Sequence, residues 1–379
     1  MSAPPQYPES IEPSKPRWRR WWGALLLLVS LQSVVLLTLM PNEQPRLELW
    51  LWSAVLPLCW ALALALRFLT WQIGLFGHAT YRRAQDVATQ HWWQWRCLRL
   101  PVAEVLLLGP AGDEQTHHRH LMADAPPPEP LIPVGAMQPM LRCPLSLSEI
   151  SARGSSLARH LARQCLAHPG LGDCWPQLRA VAWAGDDCSY KAFMQTLAHG
   201  GVKPIAETFL PMRDLADLDD LFDAFHREYR NERDWLLCAG VVSVESAEGT
   251  ETPGEAAFLW RISRQGRQAL HRGEYLMKEA AELPSALCAR LQRSAGLDAP
   301  PPTCLSLDKA SQEAFVEGGW LAGEHQLAGQ WGVLTNLAPF IGMSLALLEA
   351  GESGQACGWL SQDGNKRLAI GMAVPYGDS

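Results

Sequence analysis

Side chains able to act as nucleophile, base or metal ligand are few in this chain, and most stand apart from one another. Cys188, in GDDCSYKAF, lies between an apolar run that reads as strand and a segment that reads as helix, where the positive end of a helix dipole stabilises a thiolate. It is a candidate nucleophile, and a polar loop cysteine is the other reading. Cys238 sits inside an apolar run of strand length and reads as a small core residue. His117, His118 and His120, in THHRH, offer good metal ligands, but neighbours in one loop rarely converge on a single ion, so no metal is expected. Asp186 with Asp187 and the acidic run DLADLDDLFD would suit a divalent ion; the run is read instead as the first turns and solvated face of a helix. GESGQACG is glycine-rich but lacks Lys and a strand-to-helix setting, which excludes a phosphate loop. No cofactor is expected.

The elements that position these residues must come from a chain of 379 residues that is 48% apolar, long enough for two domains and too apolar for a disordered polymer. With 39 acidic against 32 basic side chains, a net charge of -7 supplies no global field for nucleic acid, and that partner is set aside. Ten cysteines without a C-x-x-C pair fit a reducing compartment.

Residues 21–40, WWGALLLLVSLQSVVLLTLM, carry no charge and, at about 1.5 Å per residue, reach the roughly 30 Å of a hydrocarbon core. A second run, LWLWSAVLPLCWALALAL at 49–66, is edged by Trp50, Trp52, Trp60 and Trp71, the outer ones suiting an interfacial belt. Two spans within ten residues, with no A-x-A site after the first, argue against a cleaved signal peptide. Lys15, Arg17, Arg19 and Arg20 precede the first span and Arg67, Arg82 and Arg83 follow the second, whereas the loop between holds only Arg46. Basic flanks resist translocation, so both ends are expected on the cytoplasmic side of a bacterial inner membrane. The expected division is a tail at 1–20, two transmembrane helices within 21–76, a juxtamembrane segment at 77–101 and a soluble domain from 102 to 379.

Within that domain VAEVLLLGPA reads as a buried strand and DAPPPEPLIP as surface chain. Helix is expected over 148–168, strand over 178–185, helix over SYKAFMQTLAHGG, extended chain over VKPIAETFLP, and a strongly amphipathic helix over DLADLDDLFDAFHREYRNE. WLLCAGVV and EAAFLWRIS then read as an antiparallel pair. After about residue 275 the order repeats: helix EAAELPSALCARLQRSAG, strand CLSLD, helix QWGVLTNLAPFIGMSLALLEAG, and two strands joined by an Asp363-Gly364 hairpin. Each half runs helix, strand, helix, two strands, which predicts a duplicated α/β fold with internal two-fold symmetry.

DWLLCAGVVSVES (234–246) followed by GEAAFLWR (254–261) resembles the strand D-x-A-L-x-G-G-V-(D/E)-S and the run G-E-(G/A)-A-(A/G)-(F/L)-L-L-x-R of the β-ketoacyl-ACP synthases. The resemblance implies a thiolase-like duplicated α/β/α/β/α fold over roughly 103–379, preceded by the transmembrane hairpin. It also implies a Cys nucleophile at the start of the helix before the first motif, and two His, or His and Asn, from the second half. The first position falls near Met212, Arg213 and Asp214, where there is no Cys. No His occurs at the position expected with CLSLDKASQEAF; the last position offers Gln330, Trp331 and Asn336, and His325 comes about five residues too early for it. A degenerate, non-catalytic relative is therefore expected, an adaptor or binding scaffold with a protein partner, since fold need not carry the reaction. Similar stripped ketosynthase-like proteins stand beside type VI secretion effector genes, and the family's edge-strand pairing implies a homodimer. The alternative is an acyl-transfer or acyl-ACP-binding enzyme of lipid or polyketide metabolism with a substituted site or with Cys188 as its nucleophile.

Overall fold

The computed structural model describes residues 5, 7–39, 46–113, 115, 126–132, 138–145, 152–171, 175–202, 209–247, 249, 251–277, 282–321 and 325–377. The chain divides into two compact units that meet in sequence between Gln94 and Trp95.

The first unit is built from α1 (Trp18–Leu39) and all but the last two residues of α2 (Arg46–Arg96). The second apolar run and the tryptophan-rich segment after it form one uninterrupted helix, continuous through Pro57. α1 runs antiparallel to α2: the Trp60 ring meets Trp21 at 6.3 Å and Trp22 at 5.7 Å, and Trp60 Nε1 donates to the Trp21 carbonyl at 3.1 Å. The tail before α1 continues along α2, with Arg67 donating to the Ser14 carbonyl and Tyr81 to that of Pro8. Leu26, Leu27, Leu58 and Leu62 point outward, each about two-thirds exposed. Among the described residues one helix, Ser53–Arg96, is long and apolar enough to cross a membrane.

The second unit is a ten-stranded mixed sheet with helices between and outside its halves. Its elements are β1 (Arg99–Leu108), α3 (Arg153–Ala167), β2 (Leu178–Ala184), α4 (Asp187–His199), β3 (Phe209–Pro211), α5 (Leu215–Glu228), β4 (Trp235–Ser243) and β5 (Glu255–Ser263) in the first half. The second half has β6 (Gln268–His271), β7 (Glu274–Tyr275), α6 (Pro284–Ala295), β8 (Thr303–Ser306), α7 (Lys309–Phe315), α8 (Ala328–Trp331), α9 (Ala338–Ser353), β9 (Cys357–Gln362) and β10 (Leu368–Pro375). The strand order β3-β2-β4-β5-β1-β6-β10-β9-β8 reads outward from a seam, β1 against β6, in matching sequence on both sides. The duplication expected from the element order is present. A counterpart of β3 survives in the second half as a single parallel bridge, Ser306 with Gln326.

Side chains alternate across each strand, so one face of a half-sheet packs inward and the other outward. Leu237, Ala239 and Val241 of β4 join Leu157 and Leu161 of α3 and Phe193 of α4 in an outer cluster. Leu236 and Cys238 of the same strand join Phe222 and Phe225 of α5 and Phe340 and Leu345 of α9 in a central one. Ile370 and Met372 of β10 face a third cluster with Leu287 and Leu291 of α6 and Phe315 of α7. Helix and sheet thus alternate as α/β/α/β/α. The two halves lock through the middle layer, where Phe258 stacks on Phe340 at 5.4 Å and Trp260 Nε1 donates to Ser344 Oγ at 2.8 Å. The expected long helix over 330–351 is broken: α8 ends at Trp331, Thr335 takes φ +48°, and α9 begins with Pro339 in its first turn, where a missing N–H costs nothing.

The GEAAFLWR segment owes its character to a buried charge. Glu255, fully buried at the head of β5, accepts from Arg153 Nε at 3.0 Å, from the Cys143 amide at 3.1 Å and from Ser243 Oγ at 2.9 Å. It thereby ties α3, β4 and the 142–145 chain to one carboxylate. Gly254 beside it has no room for a Cβ, which would collide with the Trp331 carbonyl. Removing one partner of a buried ion pair strands the other, at a cost of about 3–5 kcal/mol. Glu255→Ala is expected to lose about that much in denaturant unfolding, against less than about 0.5 kcal/mol for the surface change Glu245→Ala.

Candidate functional site

Three of the residue positions expected at a reactive centre converge on one cleft. The N-terminus of α5 is made by Asp214, whose carboxylate caps the helix by accepting from the amides of Ala216 at 2.9 Å and Asp217 at 3.4 Å. The two residues before it, Met212 and Arg213, line a cleft of ≈ 400 Å³ together with Gly185, Phe209, Val242 and Asn336. Met212 is buried and its amide donates to the Trp183 carbonyl, which sets the chain against β2 just before the cap. Arg213 points to solvent and pairs with Asp217 at 3.0 Å.

Gln330 and Trp331 do not line that cleft: both are in the short α8, and the Trp331 ring packs in the central core. His325 lies on the extended segment beside β8, its carbonyl accepting from the Ser306 amide. Asp308, directly after β8, caps α7. Cys188 is exposed in the first turn of α4 and does not line the cleft, although its neighbour Asp187 does. Cys238 is fully buried in β4, and burial pushes its thiol well above the usual range. His117, His118 and His120 lie outside the described residues. Neither Cys nor His is among the described residues that line the cleft.

A side chain from the far end of the chain reaches the N-terminus of α5. The loop joining β9 to β10 is a five-residue turn, 363–367, in which Asp363 accepts from the amides of Asn365 and Arg367, and Lys366 takes φ +58°. Arg367 then reaches three groups: Asp214 Oδ2 at 3.0 Å, Asp363 Oδ2 at 2.8 Å and the Tyr275 hydroxyl at 3.3 Å, with its guanidinium 4.0 Å over the Tyr275 ring. Asn336 Oδ1 accepts from the Gly364 amide at 3.1 Å. The hairpin tip is thus latched to the N-terminus of α5 on one side and to the start of α9 on the other. Beyond it opens a second cleft of ≈ 570 Å³, lined by Asp308, Lys309, Asp363 and Lys366 among others, and Thr335 borders both clefts.

The electrostatics favour a closed, charged latch. Burial opposes ionisation of Asp214, but the hydrogen bonds from Arg367 and from the two capping amides outweigh it and hold the carboxyl below its ordinary value. Burial pushes the Tyr275 hydroxyl up, so it stays protonated. Elsewhere in the second half, burial first and the neighbouring Arg99 and Arg96 next push the His271 imidazole down to about 3, so this residue is neutral at pH 7.

Arg367 and Tyr275 were not singled out in the sequence, and Asp363 only as a hairpin residue. Arg367 and Asp214 are 153 positions apart, and no local pattern marks an ion pair of that separation. The Asp363-Gly364 turn was legible, but not the direction of the side chain that closes it.

A carboxyl whose folded pKa is depressed stabilises the native state above its unfolded value, about 3.9, and that contribution is lost as pH falls through the lower folded value. The latch should therefore hold at neutral pH and open in acid. Asp214→Asn keeps a competent helix cap and removes the ion pair; because both partners are partly exposed, its cost at pH 7 should be about 1 kcal/mol or less. The protection factors of the 363–367 amides, with the intrinsic pH dependence of exchange divided out, should fall toward acid more steeply in the parent than in this variant.

No family model matches the chain, and neither does any curated protein. Solved structures do. The ishigamide ketosynthase/chain length factor superposes with a TM-score of 0.53 at 12% identity, covering 74% of this chain and 100% of its own. The ketosynthase from module 6 of the bacillaene synthase of Bacillus subtilis 168 gives 0.52 at 9% identity, over 74% and 71%. The module 1 ketosynthase of the bacillaene synthase from Bacillus amyloliquefaciens FZB42 gives 0.50 at 10%, over 75% and 77%. Likeness at such identities is a likeness of fold, and it agrees with the alternating layers and the seam-outward strand order described above. The chain has the thiolase-like fold of the ketosynthases.

Proposed function

We propose that this is a non-catalytic, membrane-anchored thiolase-like protein that works as an adaptor or binding scaffold. The observation that carries the reading is the Asp214–Arg367 ion pair at the N-terminus of α5. In the ketosynthase resemblance that helix start holds the attacking thiolate, and acyl transfer needs such a nucleophile. A carboxylate held ionised by a guanidinium and by two backbone amides is committed to structure. Met212, Arg213, Gln330, Trp331 and Asn336, at the other expected positions, supply no thiol and no imidazole.

The anchor in this reading is a two-helix transmembrane hairpin, α1 and the apolar part of α2, with both chain ends in the cytoplasm of a bacterial cell. The length and apolar composition of Ser53–Arg96 support it, as do the Trp21, Trp22 and Trp60 contacts between the helices. The partner is a protein, an effector or component of type VI secretion, and two copies of the chain pair through the β3 edge, where Phe209 is exposed. A second reading, an acyl-ACP-binding or acyl-transfer protein, is favoured by the two clefts on either side of the latch, which together could house an extended chain.

Two experiments separate these. Full-length protein treated at neutral pH with a thiol-reactive acyl mimic should show no single cysteine labelled ahead of the others; rapid labelling of one site, lost on Cys188→Ala, would establish the enzyme. For the anchor, a cysteine introduced between residues 41 and 47 should react with an impermeant reagent in intact spheroplasts while one added at the C-terminus stays protected. The opposite pattern overturns the topology.

A further inference from the structure

A passive tether needs only a flexible polar linker between anchor and domain, yet the last two residues of α2, which belong to the second unit, are sunk into a charged network. Arg96 is 1% exposed and donates to Glu274 Oε1 at 2.6 Å and to the Arg272 carbonyl at 3.0 Å. Trp95 Nε1 donates to Asp223 Oδ1 of α5 at 2.7 Å, and its ring carries the Arg272 guanidinium at 4.1 Å. Arg272, fully buried, pairs with Asp219 at 3.2 Å and Asp223 at 2.5 Å on the same helix. Each ion taken from water costs several kcal/mol unless its partners are well placed, and here the Nε atoms of Arg96 and Arg272 find none among the described residues.

The same short segment reaches the latch. Three residues beyond Arg272, the Tyr275 hydroxyl accepts from the Leu215 amide at 3.4 Å and from Arg367 at 3.3 Å. The 272–275 segment therefore grips α5 twice, at Asp219 and Asp223 through Arg272 and at its N-terminus through Tyr275. Between those grips α5 is a continuous helix, which moves as a rod.

We propose that the C-terminal end of α2 and the Asp214–Arg367 latch form one cooperative unit, so that displacing Trp95 and Arg96 loosens the hairpin tip between the two clefts. The route is 272–275 and α5; the load would come from whatever pulls on or binds the anchor. Only the source of that load rests on the membrane reading above, since the network lies wholly in the second unit.

Linkage makes the test reciprocal: if the end of α2 stabilises the latch, the latch stabilises the end of α2 by the same factor. Amide exchange of the full-length chain in detergent micelles reads both directions. Arg96→Ala should speed exchange at 212–217 and 363–367 by at least about 5-fold, and Arg367→Ala should speed exchange at 97–100 and 272–275 by a matching factor. Leu161→Ala, a core change in α3, should leave the ratio between these segments unaltered. Trp95→Phe, which keeps a ring under Arg272 but loses the bond to Asp223, provides a milder perturbation should Arg96→Ala not fold, and should act in the same direction. The proposal is overturned if each variant changes exchange only at its own end, or if Leu161→Ala reproduces the pattern. Because the measurement is made without a bilayer, failure here leaves the spheroplast labelling result untouched, and the converse holds as well.

Discussion

An aspartate at the start of one central helix and an arginine at the tip of a hairpin from the other half meet at 3.0 Å, and that contact governs what the middle of this molecule can do. A helix N-terminus inside a cleft is a natural place for a reactive anion, because unpaired amides and the macrodipole stabilise negative charge there. Here the anion is supplied by the chain itself. Asp214 caps the helix through the amides of Ala216 and Asp217, and Arg367 pairs with it from the other half of the fold.

That junction rests on apolar packing that the duplicated architecture makes possible. Two half-sheets meet edge to edge at β1 and β6, and α5 and α9 fill the layer between them with Phe222, Phe225, Phe340 and their neighbours. A bridge between the start of α5 and the β9–β10 hairpin exists only because this sandwich brings the ends of both central helices to the same region. Thr335, next to Asn336, and Lys366, next to Arg367, both take positive φ, the kind of backbone strain that persists when surrounding structure overdetermines a conformation.

Buried charge recurs as the device for fixing chain segments that apolar contacts alone would leave free to slide. Glu255 gathers α3, β4 and the 142–145 chain, while Glu274 gathers the end of α2 and α6 through Arg96 and Arg290. Such pairs contribute little net stability against an apolar alternative, but losing one partner is costly, so they fix geometry more than they add to cohesion.

Much of the fold was legible in the chain itself. The unbroken apolar runs WLLCAGVV and EAAFLWRIS became adjacent antiparallel strands, the amphipathic stretch 214–232 became the inner helix, which ends at Glu228, and the repeated element order became a real duplication, because run length, periodicity and order are local properties. Of the positions counted from the motifs, Met212, Arg213 and Asn336 line the first cleft, whereas Gln330 and Trp331 do not. What the sequence could not hold was the partner of Asp214. An ion pair across 153 residues depends on where two helices and a hairpin come to rest against a shared core, and only tertiary packing decides that.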